Sequence, residues 1–177
     1  MKTKLPKRSE HIKNRLDQIV EQVLIAANNK IAMIILYGSY ARGDWVEDEY
    51  IEYNRPISYQ SDLDIMLVFK KGSDAGYPSR DIINKIEKRL DRYIIPHTYP
   101  ALIRGKPSAS FEFESINSFN KQLDLGRYYF TDVRDEGIML YDSGEFKLAE
   151  SRKLSWEEFK PIAQFDYNEW FPNGKEF

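Results

Sequence analysis

Two runs of apolar residues limit what this chain can fold into more than any other feature of its sequence. The run Ile31–Tyr37 is β-prone and contains no charged residue, which is typical of a strand buried on both faces. Gly38 ends this run. A second run, Leu63–Phe69, predicts a second strand that begins beside two carboxylates, Asp62 and Asp64. The sequence therefore predicts a core sheet with acidic residues where its second strand begins.

Apolar residues recur at helical spacing in three other segments. We predict an amphipathic helix over about residues 8–27 and another that starts after Ser79 as its N-cap. Residues 116–132 are also predicted to be helical, and Gly126 is placed to divide them. The chain is therefore predicted to combine helices and strands.

Two further segments have the pattern of strands, and one has the pattern of a loop. Residues 110–115 alternate Phe and Glu, which is the period of a half-exposed strand, and residues 137–141 predict another strand. Residues 44–60 are polar and acidic and are interrupted by Pro56, so we predict a long surface loop or lid there. The expected fold class is α/β in the broad sense of a mixed protein, and within it the α+β type.

The composition limits the chemistry that the chain can perform. A length of 177 residues corresponds to about one domain, and 42% apolar with 31% charged residues is typical of a globular protein. The absence of cysteine excludes disulfides, thiolate zinc sites, iron–sulfur clusters and thiol nucleophiles. Two histidines leave little room for a multi-histidine metal site or a Ser-His-Asp triad. Any chemistry must therefore rely mainly on carboxylates and hydroxyls.

Charge and hydropathy narrow the range of partners. The formal net charge is -2 and the signs are interspersed, so the sequence lacks the basic surface expected of a nucleic-acid-binding protein. No apolar run is long enough to cross a bilayer, and the basic N-terminus is not followed by the apolar segment of a secretory signal. We therefore expect a cytoplasmic protein without a membrane partner, for which nucleic acid is not the main partner.

Three pairs of acidic residues are separated by one position, although composition alone predicts about four such pairs. One pair lies within residues 44–60 and is interpreted as solvated surface. The pairs Asp62/Asp64 and Glu112/Glu114 fall at or within predicted strands, where residues i and i+2 share a face. Two carboxylates on one face repel each other, and a divalent cation would relieve that repulsion. For Asp62 and Asp64, a strand end exposed to solvent is the alternative interpretation.

Gly38 and Ser39 add an independent feature. A glycine at the end of a buried strand lets the backbone approach a ligand closely. A helix that starts there would aim unpaired N–H groups and the Ser39 hydroxyl at an anion such as a triphosphate. An ordinary turn from strand to helix is the alternative.

Together these segments resemble a known signature. The chain is similar to the polymerase-β-like nucleotidyltransferase superfamily, and among its members to the minimal prokaryotic nucleotidyltransferases, in two motifs: Leu36-Tyr37-Gly38-Ser39-Tyr40-Ala41-Arg42-Gly43 and Ser61-Asp62-Leu63-Asp64-Ile65. The resemblance covers about residues 30–145, because residues 136–142 are similar to the strand that closes those domains. The stretch between the two motifs is longer than in many minimal members.

The resemblance implies a small mixed β-sheet flanked by helices, with the nucleotidyltransferase domain over residues 1–150. It further implies two Mg²⁺ ions held by Asp62, Asp64 and a third carboxylate. The third carboxylate is Glu112 or Glu114, and we choose Glu112 because it lies between two phenylalanines. These three acids are the expected catalytic residues and metal ligands.

The resemblance also implies a nucleotide site and a reaction. Gly38, Ser39, Arg42 and Ser61 are expected to bind a nucleoside triphosphate, with pairing to Asp44 as the alternative for Arg42. The expected reaction moves a nucleoside monophosphate, AMP from ATP, to a hydroxyl on a protein or a small molecule and releases pyrophosphate. A degenerate member that binds nucleotide without turnover is a further alternative.

Residues 151–177 form a separate C-terminal segment rich in aromatic residues. Ser155 and Glu158 fit a capping box and open a helical pattern that Pro161 interrupts, so we expect a kink or a second helix there. The whole chain also resembles the N-terminal part of bacterial two-domain proteins in which such a nucleotidyltransferase precedes a helical HEPN domain. In that comparison residues 170–177 are similar to the entry into the helical domain, of which residues 151–177 would be the start. The chain is accordingly expected to be a truncation.

This second resemblance adds a partner and an alternative function. The chain would then be an antitoxin-like or regulatory partner of a HEPN ribonuclease, in cis or in trans, with weak or no catalysis. An aromatic segment with nothing after it to cover it is also compatible with a homo-oligomer.

Overall fold

The computed structural model describes residues 1–52, 55–72, 78–93 and 107–173, without some of the side chains in the segments 47–52, 55–60, 91–93 and 156–173. Within these ranges the chain forms six α-helices and two β-sheets. The helices are α1 (Lys13–Ala27), α2 (Gly38–Arg42), α3 (Arg80–Leu90), α4 (Ile116–Asp124), α5 (Tyr128–Glu136) and α6 (Trp156–Asn173). The strands are β1 (Ile31–Tyr37), β2 (Glu47–Glu52), β3 (Arg55–Gln60), β4 (Leu63–Phe69), β5 (Ala109–Ser115) and β6 (Ile138–Asp142). Two 3-10 helices, Lys7–Ile12 and Asp91–Tyr93, precede α1 and follow α3.

The main sheet has four strands in the order β5-β4-β1-β6, and it is mixed. Strand β1 pairs antiparallel with β4 and β6, whereas β4 and β5 are parallel. A parallel pair needs a crossover connection, and α3 lies between β4 and β5 in the chain. The predicted class of a small mixed sheet with helices is confirmed, and the particular fold family stays a prediction.

Strand β1 is buried on both faces, as its apolar run predicts. Ile34 and Leu36 pack into a core shared with α1 and α3, whereas Met33 and Ile35 face a second core shared with α4 and α5. Every residue from position 31 to 36 is at most 2% exposed. The sheet therefore forms the middle layer between two pairs of helices.

The predicted helices are present, with one correction at a helix cap. The segment predicted over residues 8–27 is a 3-10 helix followed by α1, and Gly126 separates α4 from α5 with a φ of 66°. Ser79 occupies the N-cap position of α3, but its side chain makes no capping hydrogen bond. The Ser79 carbonyl instead accepts hydrogen bonds from the N–H groups of Ile82 and Ile83, at 3.0 and 3.3 Å.

Residues 44–60 do not form the long loop that their polarity predicts. Strands β2 and β3 form a separate antiparallel ribbon, with Glu47 opposite Gln60 and Pro56 opposite Ile51. A two-stranded ribbon tolerates a proline because alternate N–H groups of each strand point away from the partner strand. The prediction was wrong because polarity argues against a buried strand but not against an exposed ribbon.

The C-terminal segment is a single helix rather than two. Helix α6 runs through Pro161 without a break, so the prediction of a second helix starting there was wrong. The capping box is confirmed, since the Ser155 N–H donates to Glu158 Oε2 at 3.1 Å and the Glu158 N–H donates to Ser155 Oγ at 3.4 Å. Large exposed side chains on this helix are Trp156, Phe159, Phe165, Tyr167 and Phe171.

In the part of the chain that the structure describes, no helix combines the length and the apolar character that crossing a membrane requires.

Phe119 should be the most sensitive position in the second core. Its side chain is completely buried, and its ring meets that of Phe130 edge to face with the centroids 5.2 Å apart. We expect Phe119→Ala to lower the free energy of unfolding by about 3–5 kcal/mol, measured by urea denaturation. Phe165→Ala on exposed α6 is the matched control and should change it by less than about 0.5 kcal/mol. Equal losses for the two variants would contradict this packing.

Candidate functional site

The two sequence motifs meet in a contact between Gly38 and Asp64. Strands β1 and β4 pair Tyr37 with Asp64, so Asp64 lies beside the start of α2. A Cβ atom placed on Gly38 would lie 2.1 Å from Oδ2 of Asp64 and 3.0 Å from its carboxyl carbon. Gly38 also has a φ of 70°, a conformation that residues with side chains rarely adopt. Glycine is therefore required here both by its backbone conformation and by the Asp64 carboxylate.

The N-terminal segment holds α2 from the other side. Ser9 is completely buried, and its hydroxyl donates a hydrogen bond to the Tyr40 carbonyl at 2.7 Å. The Arg8 guanidinium donates to the Gly43 carbonyl at 3.4 Å and lies 4.5 Å from the centroid of the Trp45 ring. The short helix that begins at Gly38 is thereby held at its middle residue and just after its C-terminal end.

The acidic residues of β4 and β5 lie on one face of the sheet. Alternation along β4 places Asp62 and Asp64 on the face that also carries Met66. The parallel register pairs Asp64 with Ser110 and Met66 with Glu112, so Glu112 is on the same face. Strand geometry puts the Cα atoms of Asp64 and Glu112 roughly 8 Å apart on the diagonal. The residue directly beside Asp64 on β5 is therefore Ser110, and Glu112 lies two residues further along the same face of that strand.

The electrostatics of this face penalise a charged Asp64. Burial is the main cause that raises the pKa of Asp64 to about 6, and the Asp62 carboxylate adds to it. Arg42 acts in the opposite direction, and Glu112 raises the pKa further. Asp62 and Glu112 are both exposed, whereas Asp64 is half-buried. A cation bound at this face would be favoured because it offsets both causes.

The two candidates for the third carboxylate have different surroundings. Glu114 is only 9% exposed, and its carboxylate accepts a hydrogen bond from the Ser115 N–H at 3.0 Å. Burial raises the pKa of Glu114, and its hydrogen bonds with Ser115 and Ser118 partly offset this. These bonds use Glu114 at the start of α4, while Glu112 stays exposed and closer to Asp64 along the face. The geometry thus favours Glu112 over Glu114 as a ligand-binding carboxylate.

The residues predicted to bind nucleotide are not all free to do so. Arg42 donates to Asp44 at 3.1 Å, which is the alternative that the sequence left open, and it also donates to Glu136 at 3.4 Å. The Ser61 hydroxyl is buried and accepts a hydrogen bond from the Val46 N–H at 3.0 Å, at the base of the β2–β3 ribbon. Ser39 follows Gly38 in α2. Of the four, Gly38 lies against an acidic side chain predicted to be catalytic, that of Asp64.

Two tyrosines form a pair beside the acidic face, and the sequence did not predict this pairing. The Tyr129 hydroxyl donates to the Tyr37 hydroxyl at 2.9 Å, and the two rings meet edge to face with centroids 5.8 Å apart. Burial raises the pKa of both tyrosines, and the charges of Asp64 and Glu112 raise it further. The position of Tyr37 directly before Gly38 could have indicated it. Tyr129 and Ser110 are brought there by packing and strand register, which motifs do not report.

The donor set of this face fits Mg²⁺ better than a transition metal. Across the described ranges, no three or more Asp, Glu or His side chains are grouped closely enough to hold one metal ion together. Mg²⁺ is commonly bound by one or two carboxylates, with water and substrate phosphates as its other ligands. Asp62 and Asp64 fit that pattern. The participation of Glu112 in a two-ion site stays a prediction.

No protein-family model, curated protein or solved structure matches this chain. Any functional interpretation must therefore come from its own residues and contacts.

Gly38→Ala tests the contact between the two motifs. The new methyl group would clash with the Asp64 carboxylate, and the alanine would also adopt a φ of 70°. Gly144→Ala is a matched control, because Gly144 has a φ of 74° but nothing lies within 4 Å of its added methyl group. By differential scanning calorimetry we expect Gly144→Ala to cost about 1 kcal/mol and Gly38→Ala at least about 1 kcal/mol more. Equal costs would show that Asp64 does not lie against Gly38.

The pH dependence of stability tests the environment of Asp64. Its pKa is raised from 3.8 to about 6 in the folded protein, so its contribution to stability is full below pH 4 and is lost as the pH rises through 6. Solvent screens part of the effect, and we expect a loss of about 1–2 kcal/mol. Asp64→Asn should remove this loss. Urea denaturation in EDTA at several pH values measures it, and parallel profiles for the two proteins would contradict the assignment.

Proposed function

We propose that this chain is a Mg²⁺-dependent nucleotidyltransferase with a polymerase-β-like fold, which transfers AMP from ATP to a hydroxyl group on a protein or a small molecule. The observation that carries the proposal is the Asp64 carboxylate lying against Gly38, where β1 turns into α2. A metal-binding carboxylate and the start of α2 would then be adjacent. Asp62 lies on the same face of β4.

The carboxylates have the properties that metal-assisted phosphoryl chemistry requires. Asp62 and Asp64 would hold the Mg²⁺, which when bound neutralises charge on the phosphate oxygens. Burial and repulsion from Asp62 make the charged form of Asp64 unfavourable without a metal. The pair is therefore suited to bind a cation that arrives with its nucleotide.

The phosphates would lie against the first residues of α2. Gly38 leaves room for the Asp64 carboxylate beside the start of α2, and Ser39, the next residue of α2, would donate its hydroxyl to a phosphate. Arg42 would have to leave its ion pairs with Asp44 and Glu136 to reach a phosphate. These pairs are largely exposed and therefore contribute little, about 0–1 kcal/mol each. Ser61 would act indirectly, by holding the ribbon base next to Asp62.

The reaction is a displacement at the α-phosphorus of ATP. The acceptor oxygen forms a new bond to this phosphorus, the bond to the β-phosphate oxygen breaks, and pyrophosphate leaves. The hydroxyl proton must be taken up by a base, and the exposed Glu112 carboxylate on the same face is our choice for it. The Tyr37–Tyr129 pair would form a half-buried wall beside the reacting groups.

One observation favours a second candidate function. Among its described side chains, helix α6 exposes five large aromatic ones, with Trp156 69% and Phe165 59% exposed. Such a surface fits the alternative of an antitoxin-like or regulatory partner of a HEPN-type protein, with weak or no catalysis. The transfer assay below separates the two, because that partner role requires no labelled product.

Transfer of label from ATP tests the proposed function. The chain is incubated with Mg²⁺, a bacterial lysate as the source of acceptors, and ATP labelled at either the α- or the γ-phosphate. We expect products labelled from α-labelled ATP only, with a decrease of about 100-fold for Asp62→Asn, Asp64→Asn and Glu112→Gln. EDTA should abolish the signal.

Asp124→Asn is the matched control, because Asp124 is an exposed carboxylate at the end of α4. This variant should label acceptors as well as the original protein does. Label from γ-labelled ATP would indicate a kinase instead. Undiminished labelling by Asp64→Asn would remove the carboxylate pair from the mechanism.

A further inference from the structure

The β2–β3 ribbon stands between the two halves of the candidate site. It begins after Gly43 and ends before Asp62, and two hydrogen bonds between Val46 and Ser61, of 2.9 and 3.0 Å, close its base. Neither strand pairs with any other strand that the structure describes, so within the described ranges each outer edge of the ribbon is unpaired. A segment bound along the ribbon would therefore lie close to the carboxylate pair.

The ribbon exposes large side chains that the surface of a globular protein rarely leaves exposed to solvent. Ile51 is 77% exposed, Tyr59 58% and Tyr50 48%. The register places Asp48 opposite Tyr59, and alternation puts Tyr50 on the same face as both. Tyrosine rings attract cations, and a neighbouring carboxylate strengthens that preference. An isolated two-stranded ribbon is also only marginally stable in water, so a third strand would stabilise it.

Charge decides which occupant fits the β2 edge. Four of the six residues of β2 are acidic and none is basic: Glu47, Asp48, Glu49, Tyr50, Ile51 and Glu52. Pairing β2 with β2 of a second copy would set carboxylates opposite carboxylates, which is unfavourable, whereas a basic strand would set opposite charges together. The β3 edge is less suitable, because Pro56 lacks a backbone donor.

We propose that the β2 edge is a docking site for an extended, basic segment of a partner protein, which joins the ribbon as a third strand. The inference rests on the proposed function, and it names the class of acceptor: a protein whose reactive hydroxyl lies near a strand rich in lysine or arginine. Backbone hydrogen bonds would supply the binding, and the acidic and tyrosine side chains would select basic sequences.

Binding of a model strand tests the proposal without nucleotide. The probe is a fluorescein-labelled heptapeptide that alternates Lys and Val, titrated with the full chain in EDTA and followed by fluorescence polarisation. We expect saturable binding with one peptide per chain. The same peptide with N-methyl groups on alternate residues keeps its charges but cannot pair along a strand edge, and it should bind at least tenfold more weakly.

Charge reversal gives the second arm of the test. The triple variant Glu47→Lys, Asp48→Lys, Glu49→Lys should bind the unmethylated peptide at least tenfold more weakly than the original chain. The matched control is Glu10→Lys, Glu21→Lys, Glu87→Lys, which changes the net charge equally at exposed positions outside the ribbon. This control should retain binding within twofold.

The outcomes separate docking from catalysis. Absent binding, equal affinity for the N-methylated peptide, or equal weakening in the two triple variants would each overturn the docking proposal. The comparison of the two peptides uses the unaltered chain, so it stays decisive even if the charge-reversed ribbon fails to fold. Peptide binding by a chain that transfers no label from ATP would retain the docking site and reject the proposed function.

Discussion

The contact between Gly38 and Asp64 is the constraint on which the rest of the site depends. A carboxylate that is half-buried against a strand–helix junction needs a residue without a side chain beneath it, because any Cβ would fall at 2.1 Å from its oxygen. Antiparallel pairing of β1 with β4 sets this contact, and burial of both strands between two helical layers sets the pairing. The candidate site thus depends on the central sheet rather than on any loop.

The acidic residues differ in burial, and this difference distinguishes them more clearly than their spacing in the sequence does. Glu112 and Glu114 have the same spacing as Asp62 and Asp64. Glu114 is nevertheless buried and accepts a hydrogen bond from the Ser115 N–H before α4, while Glu112 is exposed. Asp64 lies between these extremes, and its pKa is raised to about 6 mainly by burial. A partly buried carboxylate gains more from a bound cation than an exposed one does. Burial destabilises its charged form and the cation offsets that cost, whereas a fully exposed carboxylate has little such cost to offset.

Two surface elements show where pattern-based prediction reaches its limit. The acidic segment 44–60 was predicted to be a loop, but its β-prone residues form a ribbon whose exposure removes the need for an apolar face. Of the kink or second helix expected at Pro161, the second helix is absent, because α6 continues through this residue. In both cases the local signal was real, and the error came from treating polarity or a proline as sufficient to end regular structure.

The sequence by itself determined the secondary elements of the core. The apolar run of β1, the helical spacing in α1 and α3, and the break at Gly126 are local patterns that burial imposes on neighbouring residues. Only the tertiary structure decided that Ser110 lies beside Asp64, that Tyr129 reaches Tyr37, and that Arg42 pairs with Asp44 and Glu136. Those relations depend on strand register and helix packing between residues distant in the chain, and no local period encodes them.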